Sequence, residues 1–363
     1  MQTTGTRLTE TLVVQDDLKP LIPHHFAKGS WLPTSDWRPV PPDKSHPAGS
    51  SLPSSLRLLS WNVDFMAPNQ SDRLRCALSH IRSHLSSAST STSGRTSDTS
   101  EAQSVTAEGT EPVPCCILLQ EISGGAFPAL LSDKWVRRYF TVVPNSVTEW
   151  PTRTYGVATL ISRSIPVLKA QSLAFSNSRM GRNALLVDVR LSVSPSSLGN
   201  SPDGETNERS RTHVLRIGNV HLESLPQGTP MRPSQLMATG KMLRAEDVNG
   251  GIVGGDMNPI DPIDAAIHQN AGLEDAYRGA EENENSFTWG YQPPSGYPAR
   301  RMDKIFYTAQ EGCRMQVDEP ERIGVGLRTA QGQWVSDHYG LLTTVQLDLV
   351  ASVEEVDAQI PSE

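Results

Sequence analysis

Five short apolar runs in this chain meet polar residues at one end, and that recurrence limits the possible folds more than any other feature. LRLLSW leads into Asn62 and Asp64, CCILLQ into Glu121, LRIGNV into His221 and Glu223, and GIVGG into Asp256 and Asn258, while Asp337 and His338 precede YGLLTTV. Runs of this length read as strands. Between Tyr155 and Leu222 several follow one another with little helix between them. That order favours antiparallel pairing over a doubly wound parallel sheet, and predicts an α+β fold with two packed sheets flanked by helices. Leu74, Leu78, Ile81 and Leu85 recur at helical spacing, so a helix is expected over 70–85, with others near 124–133, 232–247 and 262–270.

One domain is expected over residues 55–350. Residues 1–54 are rich in Pro, Ser and Thr and read as an irregular leader, although Phe26, Trp31 and Trp37 suggest that part of it packs on the domain. The low-complexity stretch 86–113 is expected to be a mobile loop, the Ser/Pro-rich stretch after Leu191 a long hairpin connection, and 351–363 a tail. No apolar run approaches the length of a membrane span. The start of the chain lacks the basic-then-apolar layout of a secretory signal, so an intracellular protein, nuclear or cytoplasmic, without membrane contact is expected. Cys76, Cys115, Cys116 and Cys313 lack zinc-like spacing and read as free thiols. The net charge of −8 opposes nonspecific coating of nucleic acid, which requires many neutralised phosphates, but leaves room for a local basic groove.

Polar strand ends that converge on one rim can build a site on a rigid scaffold. Each residue also has a plainer role. Asn62, Asp64 and Asp256 are of types that form turns after strands, Glu121 could be a solvated terminus, and His338 a hydrogen-bonded core histidine. Glu121, however, is embedded in apolar sequence, where an unpaired charge is costly.

The motifs SWN, LQE, NVHLES, GDMN, RMDKI and SDHYG, in that order from Ser60 to Gly340, resemble the endonuclease/exonuclease/phosphatase family of metal-dependent phosphoesterases. LAFSNSRMGRN with VHLES and FTWGY resembles its tyrosyl-DNA phosphodiesterase 2 branch, which removes protein tyrosine from DNA 5′ ends. The resemblance implies a monomeric four-layer sandwich acting on a DNA 5′ end that carries a tyrosyl or peptide adduct. It assigns Glu121 as ligand of Mg²⁺ or Mn²⁺, with Asp64 and Asp337 assisting as outer or weaker ligands. Asp256 orients and deprotonates the water, Asn258 holds that water or a phosphoryl oxygen, and Asn62 donates to the phosphate. Protonated His338 stabilises the developing charge and Asp303 fixes its ring. His221 and Ser224 contact the nucleic-acid backbone, Arg182 grips phosphate, and Tyr155 and Trp289 lie near the DNA end. For the two aromatics, packing in the core or rim is the plainer role.

Two positions depart from the branch. An arginine usually follows GDxN after one residue, whereas this chain has Pro259-Ile260-Asp261, and an acidic residue usually follows the TW pair where Gly290 stands. Arg300 or Arg301 could supply the absent cation. The same core also serves RNA, inositol phosphate or phospholipid substrates, and a non-catalytic binding protein is a third possibility.

Overall fold

The structure is a computed structural model that describes residues 16–34, 52–86, 110–192, 212–281 and 283–349. Most of the expected loop over 86–113, the connection after Ser192 and the tail beyond Leu349 lie outside the described residues.

Three short strands open the described chain: β1 (Asp17–Leu21), β2 (His24–Ala27) and β3 (Ser30–Pro33). They occupy residues 16–34 of the stretch that composition reads as an irregular leader; residues 1–15 and 35–51, Trp37 among them, lie outside the described residues. Edge strands need few apolar residues, because one flank and often one face stay in water. In β1 only Leu21 is buried, and Pro20 is tolerated at a sheet edge. Phe26 and Trp31 pack edge to face at 5.6 Å, and the Arg137 guanidinium lies 4.4 Å from the Phe26 ring centroid.

Next come β4 (Ser55–Asn62), α1 (Gln70–Leu85), β5 (Cys115–Ser123), α2 (Phe127–Ser132), α3 (Lys134–Tyr139) and β6 (Phe140–Val143). The middle of the chain forms β7 (Tyr155–Ser162), β8 (Val167–Ala174), β9 (Asn183–Ser192), β10 (Thr212–His221), α4 (Leu225–Gly228), α5 (Arg232–Leu243) and β11 (Gly250–Asp256). It closes with α6 (Ile267–Asn270), β12 (Glu274–Asp275), β13 (Asp303–Ala309), β14 (Cys313–Val317), β15 (Glu321–Ile323) and β16 (Gly340–Leu349). The helix expected over 124–133 is split, because Asp133 ends α2 and its carboxylate accepts from the N–H groups of Trp135 and Val136 to start α3. Over 262–270 a 3-10 turn, Pro262–Ala266, leads into the short α6.

One sheet runs β1-β8-β9-β10-β11-β13-β12 and the other β14-β16-β4-β5-β7-β6-β2-β3, with β15 on β16. Pairing is antiparallel throughout except for β4 with β5 and β10 with β11. Alternate residues of the central strands face opposite layers. Leu58, Leu118, Val187, Ile217, Ile252 and Ile305 meet between the sheets. Their neighbours Leu59 and Leu119 pack against Leu74, Leu78 and Ile81 of α1, and Val253 and Phe306 against Leu236 and Leu243 of α5. The result is helix, sheet, sheet, helix. Both faces of these strands are buried, which is why they read as continuous apolar runs, each leucine contributing about 1.5–3 kcal/mol. All four cysteines are free thiols, and Cys115 and Cys116 are buried. Among the described residues no helix is long and apolar enough to cross a membrane.

Candidate active site

Register places the polar strand ends on one rim. In the first sheet His221 is paired with Asp256 across parallel β10 and β11, and Asp256 lies directly opposite Asp303 across antiparallel β11 and β13. In the second sheet Asn62 pairs with Gln120, one residue before Glu121, and β16 runs antiparallel to β4, so the residues before its start reach the end of β4. The approach at the end of β11 is close: a Cβ on Gly255 would lie 1.8 Å from the Val220 carbonyl oxygen.

A buried polar layer lies beneath the rim. Gln120 Nε2 donates to Ser60 Oγ (3.1 Å) and Asn219 Oδ1 (2.9 Å), and Asn219 Nδ2 donates to the carbonyls of Leu119 and Ala158. These bonds span the two sheets and fix their relative position next to Glu121 and His221. Sequence reading missed this layer, because Gln and Asn within a strand carry no signal that distinguishes a buried pair from a solvated one.

Three nitrogens converge on one carboxylate oxygen. Asp256 Oδ2 lies 3.1 Å from Asn62 Nδ2, 3.4 Å from His221 Nε2 and 3.8 Å from His338 Nε2. Glu121 Oε1 is 3.7 Å from His221 Nε2, and Glu121 Oε2 accepts from the Phe65 N–H at 3.1 Å. A bulge between Leu119 and Ile122 puts Glu121 at φ 58°, and Asp64 (52°) and Asn258 (47°) are also in the left-handed region. Non-glycine residues occupy that region at a cost, and bulges re-aim side chains near active sites.

The electrostatics follow from burial and these neighbours. Burial raises the Glu121 carboxyl to about 7, opposed by His338 and Arg182 and reinforced by Asp256 and Asp337. Asp256 is raised to about 6, chiefly by burial, with His338 opposing and Asp303 adding. For His338 burial works against the charged ring, yet Asp303, Asp337 and Asp256 together hold it well above the ordinary imidazole value. Its Nδ1 sits 2.7 Å from Asp303 Oδ2. His221 is the opposite case, held well below the ordinary value by burial, Arg182 and His338. Arg182 Nη1 lies 2.6 Å from His221 Nδ1; a guanidinium only donates, so Nδ1 accepts and Nε2 carries the proton toward Asp256 and Glu121.

The remaining expected residues are divided between the rim and its supports. Arg182 Nη2 donates to Ser224 Oγ (3.1 Å), and the guanidinium lies 5.3 Å from the Tyr155 ring centroid. Tyr155 stacks on Phe65 at 4.0 Å, an aromatic that sequence reading did not single out. Asn258 donates its N–H to Asp256 Oδ1 and its Nδ2 to the Leu222 carbonyl. Trp289 Nε1 donates to Asp337 Oδ2 at 2.9 Å, and Asp337 Oδ1 is 3.9 Å from His338 Nε2. Asp64 is engaged elsewhere: Oδ1 accepts from the N–H groups of Met66 and Ala67 and Oδ2 from Arg73 at 3.0 Å. That arrangement makes Asp64 a support of the loop after β4. Glu223 likewise accepts from Ser178 Oγ and the N–H groups of Arg179 and Met180, holding the turn that presents Arg182. Ser336, also not anticipated, donates to the Asn62 carbonyl and accepts from the His338 N–H, linking the two sides of the rim.

The oxygen donors of the rim are of the type a hard, hydrated cation takes, and Glu121 would be its main protein ligand. A carboxyl raised to about 7 is only partly ionised at neutral pH unless a cation compensates. Among the described residues no three His, Cys, Asp or Glu side chains are placed to hold a metal together, so a closed all-protein cage is not the arrangement.

Both departures acquire a structural context. Gly290 has φ 105°, and a Cβ there would lie 2.7 Å from Ala299 Cα, so this loop has no room for an acidic side chain. Arg301 is committed to Asp275 (2.6 Å) and Glu281 (2.5 Å), and Arg300 is exposed, so Arg301 is not the free cation that Ile260 leaves wanting. Nothing in the structure explains Ile260 itself.

The Endonuclease/Exonuclease/phosphatase family profile matches residues 59–338. Tyrosyl-DNA phosphodiesterase 2 of Mus musculus is 30% identical over 210 residues, which make up 54% of this chain and 50% of that protein. A humanized TDP2 of D. rerio superposes with a TM-score of 0.57 at 21% identity, covering 81% of this chain and 99% of that one. Truncated TDP2 of Caenorhabditis elegans gives 0.53 at 17% identity over 80% and 97% of the two chains. These two likenesses establish the sandwich fold, and the profile match across most of the chain places it in the endonuclease/exonuclease/phosphatase family.

Proposed function

We propose that this protein is a divalent-metal-dependent phosphodiesterase that hydrolyses a phosphoester at a DNA 5′ end, with 5′-tyrosyl DNA as substrate and DNA repair in the nucleus as its setting. One observation carries the reading: the nitrogens of Asn62, His221 and His338 converge within 3.8 Å on Asp256 Oδ2, beside the half-buried Glu121. Donors gathered around one oxygen can take the non-bridging oxygens of a phosphate, while the carboxylate they surround is positioned to take a proton. The choice of DNA is supported by the likeness to the mouse phosphodiesterase and by a D. rerio TDP2 structure containing a single-strand DNA product.

Glu121 would hold the cation, which supplies charge neutralisation at the phosphate when bound. Asn62 and neutral His221 donate to the phosphoryl oxygens, and charged His338, held by Asp303, balances the negative charge that grows there. Asp256, oriented by the Asn258 N–H, accepts the proton of the attacking water. Arg182, braced on Ser224 and His221, reaches a neighbouring phosphate, and the Tyr155–Phe65 stack offers an aromatic face to an unpaired terminal base.

The test is turnover by purified protein with Mg²⁺ on 5′-tyrosyl oligonucleotide, abasic duplex, RNA and inositol phosphate, beside Glu121→Ala. Tyrosyl DNA is expected to be cleaved by the wild type alone. Turnover restricted to RNA, inositol phosphate or a lipid head group would remove the DNA assignment. Failure on every substrate would remove the enzymatic one.

A further inference from the structure

Two loops on one flank of the rim are uniformly basic. Residues 150–155, which lead into β7, and residues 175–182, between β8 and β9, carry Arg153, Arg179 and Arg182 and no acidic residue, although Asp and Glu outnumber Lys and Arg in the chain by 40 to 32. The loops come from different sheets and meet: Thr152 packs on Gly181, and the Tyr155 hydroxyl donates to the Met180 carbonyl at 3.4 Å. Both are tied to the rim. Ser123, two residues past Glu121, pairs with Tyr155, and Gly124 donates its N–H to the Thr154 carbonyl at 2.8 Å. On the other loop the N–H groups of Arg179 and Met180 donate to Glu223, two residues past His221.

The charges of these loops are unspent. Arg73 and Arg232 are buried against Asp64 and Asp264. Arg153 and Arg179, by contrast, are exposed, and neither guanidinium has a hydrogen bond, ion pair or ring partner among the described residues. Glu223, the carboxylate tied to the second loop, is itself buried, and its oxygens already accept from Ser178, Arg179, Met180 and Gln235. A guanidinium only donates, in a planar fork that matches phosphate oxygens. Between the two arginines stands Tyr155, stacked on Phe65 and 5.3 Å from the Arg182 guanidinium. Cations set beside an aromatic face suit a chain that offers phosphates and bases in turn, as a single nucleic-acid strand does. An acidic peptide would use the arginines and leave the ring idle.

We infer that Arg153 and Arg179 extend the site into a track for a single nucleic-acid strand, taking backbone phosphates beyond the one that Arg182 reaches, a role that rests on the proposed action at a DNA 5′ end. Affinity then grows with strand length, and its salt dependence reports the two arginines.

The experiment is fluorescence anisotropy of the full chain with Mg²⁺ and 3′-labelled, 5′-phosphorylated thymidine octanucleotide or dinucleotide, the product form of the proposed substrate, with an octaglutamate competitor. The octanucleotide should bind more tightly than the dinucleotide. Arg153→Gln and Arg179→Gln should each weaken the octanucleotide at least about threefold and reduce the slope of log affinity against log salt by about 0.7. Dinucleotide affinity should hold within about twofold, because so short a strand ends at Arg182. Thermal melts check that both variants are folded. Octanucleotide affinity and salt slope unchanged in the folded variants, an equal loss for the dinucleotide, or octaglutamate competing as well as the octanucleotide would each overturn the track and leave the DNA assignment standing. Wild-type protein that binds neither oligonucleotide would overturn both.

Discussion

Replacing Asp303 by asparagine removes one charge from the rim and leaves the side-chain shape nearly unchanged. In the native protein Asp303 Oδ2 is 2.7 Å from His338 Nδ1, and both residues are buried. Opposite charges about 3 Å apart attract by about 5–6 kcal/mol at an effective dielectric constant of about 20. The substituted amide still accepts one hydrogen bond, worth about 1 kcal/mol, and Asp256 and Asp337 remain 3.8 and 3.9 Å from Nε2. A net loss of about 4–5 kcal/mol in support of the imidazolium follows, or about 10³–10⁴ in rate if the charge acts mainly in the transition state. The assay is initial rate on 5′-tyrosyl oligonucleotide with Mg²⁺ at pH 7, where kcat should fall and KM stay within about threefold if substrate dissociates faster than it reacts. Stability gives a second readout. The folded value of His338 is raised, so its stabilisation is complete below the unfolded value of about 6.5 and is lost as pH rises through the folded value. Asp303→Asn should therefore destabilise the fold most below the unfolded value, and progressively less as pH rises through the raised folded value. A kcat within threefold of wild type would refute the electrostatic role given to Asp303.

Other outcomes follow from the same physical terms. Glu121 titrates at about 7 in the fold against about 4.3 unfolded, so without a cation its contribution to stability declines as pH rises across that interval. A bound cation displaces that proton, so Mg²⁺ should raise the melting temperature more at pH 8 than at pH 6, by about 2.7 kcal/mol of stability at a hundredfold excess over Kd, and do nothing for Glu121→Gln. Because activity needs ionised Asp256 and charged His338, kcat/KM should rise along an acid limb at about 6 and fall once pH passes the raised folded value of His338. An alkaline limb at or below the ordinary imidazole value of about 6.5 would contradict the charge given to His338. In the N-terminal strands, Leu21→Ala should cost about 2–5 kcal/mol in urea unfolding, because Leu21 is 2% exposed within the inter-sheet core. Leu18→Ala, with 38% exposure, serves as the mild control, and equal effects would place β1 outside the cooperative core.

Sequence by itself determined the layers and the identity of the rim. Continuous apolar runs are what a strand buried on both faces requires, and leucines at helical spacing mark α1, so both were legible in local pattern. The ordered motifs from SWN to SDHYG identified Glu121, Asp256, Asn258 and His338, because position at a strand end is encoded where it occurs. Tertiary structure decided what those residues touch. Glu121 accepts from the Phe65 N–H, 56 residues away, and His221 owes its neutral state first to burial and then to Arg182, which also sets its tautomer. Residues 16–34 form β1 to β3 for a related reason: strands at or next to a sheet edge are stabilised by the strands they join, β8 for β1 and β6 for β2, and need almost no apolar signature of their own. Charge, burial and hydrogen bonding depend on distances between segments far apart in the chain. Local pattern carries none of those distances, and only the packed sandwich sets them.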